Sequence, residues 1–101
     1  MIQTSTADLE KLARDAAREI AGPEALEQVE VETVTDLDDR PAYHFTFLLN
    51  PERVKQHAGL VRIDLGLKLL DDLTARGDEH RPLIRILDRT DWEKRGSARL
   101  Y

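Results

Sequence analysis

One stretch of this chain constrains its fold more than any other. In residues 42–49, Tyr43, Phe45, Phe47 and Leu49 alternate with Ala42, His44, Thr46 and Leu48. A period of two is the signature of a strand, whose successive side chains project to opposite faces of a sheet. One face of this strand carries three aromatic rings and a leucine, and that much apolar surface must be covered by other elements. The rest of the sequence therefore has to supply partner strands and covering helices.

A partner strand precedes it. Residues 28–35 alternate too, with Val29, Val31 and Thr33 on one side and Glu30, Glu32 and Val34 on the other. The polar run Asp36-Leu37-Asp38-Asp39-Arg40-Pro41 between the two segments predicts a turn, and hence an antiparallel hairpin. Upstream, Ser5 is placed to cap a helix with Asp8 three positions on. Leu9, Leu12, Ala13, Ala16, Ala17 and Ile20 then recur at helical spacing until Gly22-Pro23 ends the helix.

Downstream, Asn50-Pro51-Glu52 reads as a second helix start with Pro at the first position, and Gly59 as an interruption. Residues 60–70 fit two patterns. Val61, Ile63, Leu65, Leu67 and Leu69 alternate as in a strand, whereas Leu60, Ile63, Leu67, Leu70 and Thr74 fit a helix, widened by Leu69 and Leu73. No turn signal occurs before Arg76, which makes the run too long for an average strand and decides for helix, with Gly77 as its C-terminal cap. Residues 78–81 read as a loop and residues 82–88 as a third strand beginning at a proline. Thr90 or Asp91 is expected to cap a short turn through Trp92 and Glu93, and residues 94–101 to form a flexible tail.

The expected fold is α+β: a three-stranded mixed sheet with two helices on one face, in the order α-β-β-α-β. If the second and third strands are parallel, the helix between them makes a right-handed crossover. With 101 residues the chain is expected to be one domain, burying roughly 65% of its unfolded surface. The opposite sheet face, with Val34, His44, Thr46 and Leu48 and also Leu83 and Leu87, has no cover in this scheme. Two readings of it stand: a solvated half-polar face, or a face that associates.

Composition excludes several functions. The chain has no cysteine, which removes disulfides, zinc-thiolate sites and thiol catalysis. There is no phosphate loop, dinucleotide fingerprint, nucleophile elbow or His-Glu-x-x-His motif, and the only serines are Ser5 and Ser97. No apolar run approaches the ~20 residues of a bilayer span, and no signal peptide is visible, so a cytoplasmic protein is expected. The net charge of −5 is concentrated. Glu24, Glu27, Glu30, Glu32, Asp36, Asp38 and Asp39 are the only ionisable residues between positions 24 and 39. An acidic strand and turn repel nucleic-acid and anionic-membrane surfaces and attract a basic protein.

Each remaining candidate competes with a structural explanation. His44 has the chemistry of a general base or metal ligand, but with no fixed second ligand or nucleophile in the sequence it reads as a cross-strand partner to a glutamate on the exposed face. Asp78, Glu79 and His80, with Asp88 or Asp91, could approach a divalent metal; adjacent loop residues rarely converge, so a solvated turn is expected. Asp36, Asp38 and Asp39 lack the Gly and closing Glu of a calcium loop. Arg81, Arg85, Arg89, Lys94, Arg95 and Arg99 make the C-terminal end basic, but Asp88, Asp91 and Glu93 are interleaved. Trp92 reads as a plug closing the sheet edge.

The element order is similar to the connectivity of type II KH domains, although the Gly-x-x-Gly turn with which those domains grip nucleic acid is missing. Arg76-Gly77-Asp78-Glu79, Pro82-Leu83-Ile84-Arg85 and Asp91-Trp92 resemble small uncharacterised prokaryotic proteins of this pattern. Some of these stand beside HEPN-type proteins in toxin–antitoxin-like pairs, which implies a neutraliser of a basic, RNA-acting partner. The expectation is a non-enzymatic, protein-binding module with no cofactor, metal or small-molecule ligand. Its partner is a basic protein meeting Glu30, Glu32, Asp36, Asp38 and Asp39, or a second copy meeting the open sheet face. The alternative is RNA contact through Arg85, Arg89 and Arg95.

Overall fold

The computed structural model describes residues 3–54 and 57–98. The elements are α1 (Thr6–Ile20), β1 (Leu26–Thr35), β2 (Pro41–Leu49), α2 (Ala58–Ala75), β3 (Arg81–Leu87) and α3 (Arg89–Ala98). The sheet order is β1-β2-β3, with β1 antiparallel and β3 parallel to the central β2. The expected α+β order α-β-β-α-β is present, followed by a third helix.

Register follows from the alternation. Val29, Phe47 and Ile86 form one cross-strand row, and Val31, Phe45 and Ile84 the next. These rows lie under α1 and α2. Tyr43, Phe45 and Phe47 are fully buried with Leu9, Ala13, Ala16 and Ala17 of α1 and Val61, Leu65, Leu69 and Leu73 of α2. The alanines of α1 let that helix lie close to the sheet, and Ser5 caps it by accepting from the Asp8 backbone N–H at 3.3 Å.

Three local expectations need correction. Asn50-Pro51-Glu52 forms a turn instead of a helix start, and α2 begins at Ala58 behind His57, whose ring Nδ1 accepts from the Gly59 N–H at 3.2 Å. Proline fits either role, because its fixed φ suits a turn as well as a first helical position. Gly59 does not interrupt α2; it lies in its first turn. The expected flexible tail is helical through Ala98, with Asp88 capping the start of α3 by accepting from the Asp91 N–H at 2.8 Å, while residues 99–101 lie outside the described residues.

α3 also changes the second sheet face. Trp92 packs there against Leu48 and Leu87 as a separate buried cluster, so it covers the face and does not plug an edge. Of the four residues expected to be exposed there, Leu48 and Thr46 are buried, and Val34 and His44 are half-buried. A central strand has a neighbour on each side, and the added helix removes one end of the face from solvent.

Candidate functional site

The acidic hairpin is present and mostly exposed. Glu30, Glu32, Asp38 and Asp39 all face solvent. Asp36 instead organises the turn: its Oδ1 accepts from the N–H groups of Asp38 at 2.8 Å and Arg40 at 3.0 Å. The Arg40 N–H, set against partial burial, holds the Asp36 carboxyl below its ordinary value. Asp39 takes a left-handed φ of 58°, which aspartate tolerates in turns. Part of the acidic charge is answered within the chain. Glu24 meets Arg53 at 2.9 Å and Glu27 meets Arg89 at 2.9 Å. Glu32 faces His44 in register, with 3.7 Å between Oε1 and Nδ1, which is the cross-strand pairing expected of that histidine.

Two of the three arginines of the RNA alternative can be placed. Arg85 stands on the second sheet face in a row with Thr46 and Glu30, and Arg89 bonds Glu27 at the start of α3. The Arg95 side chain lies outside what is described.

Asp78 and His80 overturn the expectation of a solvated turn: only 2% and 4% of their surfaces are exposed. The end of α2 explains why. Gly77, at φ 75°, donates its N–H to Thr74, and the Asp78 N–H reaches Leu73, each at 3.0 Å. This is a Schellman turn, which folds the chain back over the helix end and carries the Asp78 side chain inward. Its Oδ2 accepts from the Tyr43 hydroxyl at 2.6 Å, the Thr4 hydroxyl at 2.7 Å and the Thr4 N–H at 3.0 Å. Its Oδ1 accepts from the His80 N–H at 3.0 Å and faces His80 Nδ1 at 2.6 Å. A carboxylate only accepts, so that ring nitrogen carries the proton. The imidazole stacks on Tyr43 at 4.2 Å between ring centroids.

Burial pushes the Asp78 carboxyl up, but bonds from Tyr43, Thr4 and His80 outweigh it and hold the group well below the usual carboxylate range. Burial and the adjacent Asp78 raise the Tyr43 phenol. Both Asp78 oxygens, the Tyr43 and Thr4 hydroxyls and His80 Nδ1 all serve other members of the cluster. It ties the N-terminal segment, β2 and the α2–β3 connection together, and it is a structural knot. Among the described residues no three His, Asp or Glu side chains are grouped to hold a metal ion.

The surface with the strongest functional character is the outer face of α2. Its buried face is the i, i+4 ridge Val61, Leu65, Leu69 and Leu73, each fully buried. At 100° per residue, Leu60, Ile63, Leu67 and Leu70 point to the opposite side of the helix, and they are 44% to 59% exposed. The two patterns read from residues 60–70 thus belong to one helix with two apolar faces. The stripe Leu60, Ile63, Leu67 and Leu70 is the outer face, and the core face is Val61 and Leu65 together with Leu69 and Leu73, the two residues that widen the stripe in the sequence.

Beside this stripe runs a groove of about 1050 Å³ between α2 and β3, which is an edge strand of the sheet. Ile63, Leu67, Pro82 and Leu83 give it an apolar lining, and Arg62 and Arg81 stand among its walls. The signal for the surface lay in the sequence as an excess: more leucines than one helix face can bury.

No helix among the described residues is long and apolar enough to cross a membrane. No family model matches the chain, and no curated protein or solved structure shows significant similarity to it.

Proposed function

We propose that this chain is a protein-interaction module and that it docks through the outer face of α2. The observation that carries the reading is the bare stripe Leu60, Ile63, Leu67 and Leu70 on a helix whose other apolar face already fills the core. Single exposed leucines are ordinary, but a contiguous row of four beside an apolar groove is the form a docking surface takes. A photoreactive benzoylphenylalanine in place of Leu67 tests it in cells. The expected result is a light-dependent covalent protein adduct that vanishes when Ile63→Ser is added. Well-expressed protein that gives no adduct overturns the reading.

A second reading places a basic protein on the hairpin, as in an antitoxin-like neutraliser. It is favoured by the exposure of Glu30, Glu32, Asp38 and Asp39 along one strand and its turn. Replacing all four with Lys should abolish salt-sensitive capture of a basic protein from native lysate. Capture that survives the replacement refutes it.

A further inference from the structure

Resting on the reading of the α2 outer face as a docking surface, we infer that its occupant is a second copy of this chain, paired through α2 about a two-fold axis parallel to the helix. Three features of α2 converge on this.

The first is spacing. Leu60, Ile63, Leu67 and Leu70 follow one another at intervals of three, four and three, and Thr74 continues the series. That is the a/d seam with which one helix packs along another of its kind, knobs into holes.

The second is charge. On the side of the stripe toward α1 stand Asp64 and Asp71, four positions before and three after Lys68, which itself reaches Glu19 of α1 at 3.9 Å. The groove on the other side contains Arg40, Arg62 and Arg81, and no carboxylate lines it among the described residues. The stripe therefore has an acidic flank and a basic flank. Symmetry turns this into a choice of orientation. A two-fold parallel to the helices brings the acidic flank of each copy against the basic flank of the other. A two-fold perpendicular to them, pairing the helices antiparallel, sets acid against acid and base against base. Complementary charge selects the parallel pair.

The third is Gly66. It sits mid-helix on the groove side with no positive φ. A Cβ added there meets only Ile84 Cγ1, at 3.7 Å, an ordinary contact. The fold itself thus has room for alanine, and a mid-helix glycine is a standing cost to stability. A smooth wall for an incoming helix accounts for it, because small residues permit close approach. Four half-exposed side chains fall short of the ~800 Å² per partner of a standard interface, so the flanks contribute and the dimer is reversible.

The chain lacks cysteine, so a single introduced thiol reports on symmetry without background. In the parallel pair Leu60 meets its counterpart, so Leu60→Cys alone forms a disulfide-linked dimer on mild oxidation, and so does Leu70→Cys. Antiparallel helices give neither product, only a mixed disulfide when the two variants are combined, and that result overturns the orientation.

Sedimentation equilibrium of the wild-type chain from micromolar to millimolar concentration should move from 11.5 kDa toward twice that mass. Asp64→Lys with Asp71→Lys should weaken the dimer roughly tenfold or more at low salt, and adding Arg62→Glu with Arg81→Glu should restore it. Gly66→Gln should unfold at or above the wild-type temperature and yet be monomeric. A wild-type chain that stays monomeric throughout overturns the inference. If the Leu67 cross-link then captures a different protein, the docking surface stands and only its occupant was wrong; if it captures nothing, both fall.

Discussion

Replacing Asp78 by Asn probes the knot that closes the fold. The amide keeps the shape of the carboxylate but retains only one accepting oxygen. If that oxygen faces Tyr43 and Thr4, the NH₂ group confronts the His80 N–H and the proton on its ring nitrogen. If it faces His80, the NH₂ group confronts two hydroxyls and the Thr4 N–H. Either way at least two buried donors lose their acceptor, at about 1–3 kcal/mol each, and the surviving bonds lose their charge assistance. The expected loss is roughly 3 kcal/mol at neutral pH. With a urea m-value of roughly 1.5 kcal/mol/M, the unfolding midpoint falls by about 2 M at unchanged m.

The pH dependence supplies a second readout with a definite sign. The folded-state pKa of Asp78 lies below its unfolded value. Its stabilisation is therefore complete above about pH 4, near the unfolded pKa, and is lost as the pH falls toward the depressed folded value. Asn does not titrate, so the gap between wild type and variant should be widest at pH 7 and narrow between pH 4 and pH 2. A gap under about 1 kcal/mol at pH 7, or one that stays constant down to pH 2, refutes the account of Asp78 as an ionised, fully bonded buried carboxylate.

Two other perturbations separate the remaining parts of the fold. Gly77→Ala forces a Cβ into a left-handed φ of 75°, and should destabilise the chain by about 1 kcal/mol in urea titrations with no change in α2 helicity by circular dichroism. Trp92→Ala should release α3 from Leu48 and Leu87, so that amide exchange accelerates in α3 while the β2 amides stay protected; equal acceleration in both would mean that α3 belongs to the main cooperative unit.

Periodicity made most of the architecture legible. The alternation around Tyr43, Phe45 and Phe47 and the alanine-rich stripe of α1 each correspond to an element with the expected buried face. Gly77 was legible as a cap because only the left-handed region closes that turn cheaply. Pro51 misled, since a fixed φ serves two structures. Only the first turn of α3, through Trp92 and Glu93, was legible, because the sequence of α3 is polar and Trp92, its buried apolar anchor among the described residues, binds a face whose availability depends on where the chain has already gone. The acidic hairpin was legible as charge. The outer apolar face of α2 was legible only as a surplus of leucine, because a pattern of apolar residues records that faces exist and not which of them meets the core.

What the sequence determined by itself is local: where helices and strands run, which side of each is apolar, and that the strand at residues 42–49 must be central to the core. These follow from interactions between near neighbours in the chain and from the two helical and strand periods. The tertiary structure alone decided the rest. It placed Thr4, Tyr43 and His80 around the Asp78 carboxylate although the chain separates Thr4 from Asp78 by 74 positions. It also turned Val61, Leu65, Leu69 and Leu73 inward and left Leu60, Ile63, Leu67 and Leu70 outside. Both outcomes depend on how whole elements pack, and packing is settled by the shape and volume of a shared core that no single segment contains.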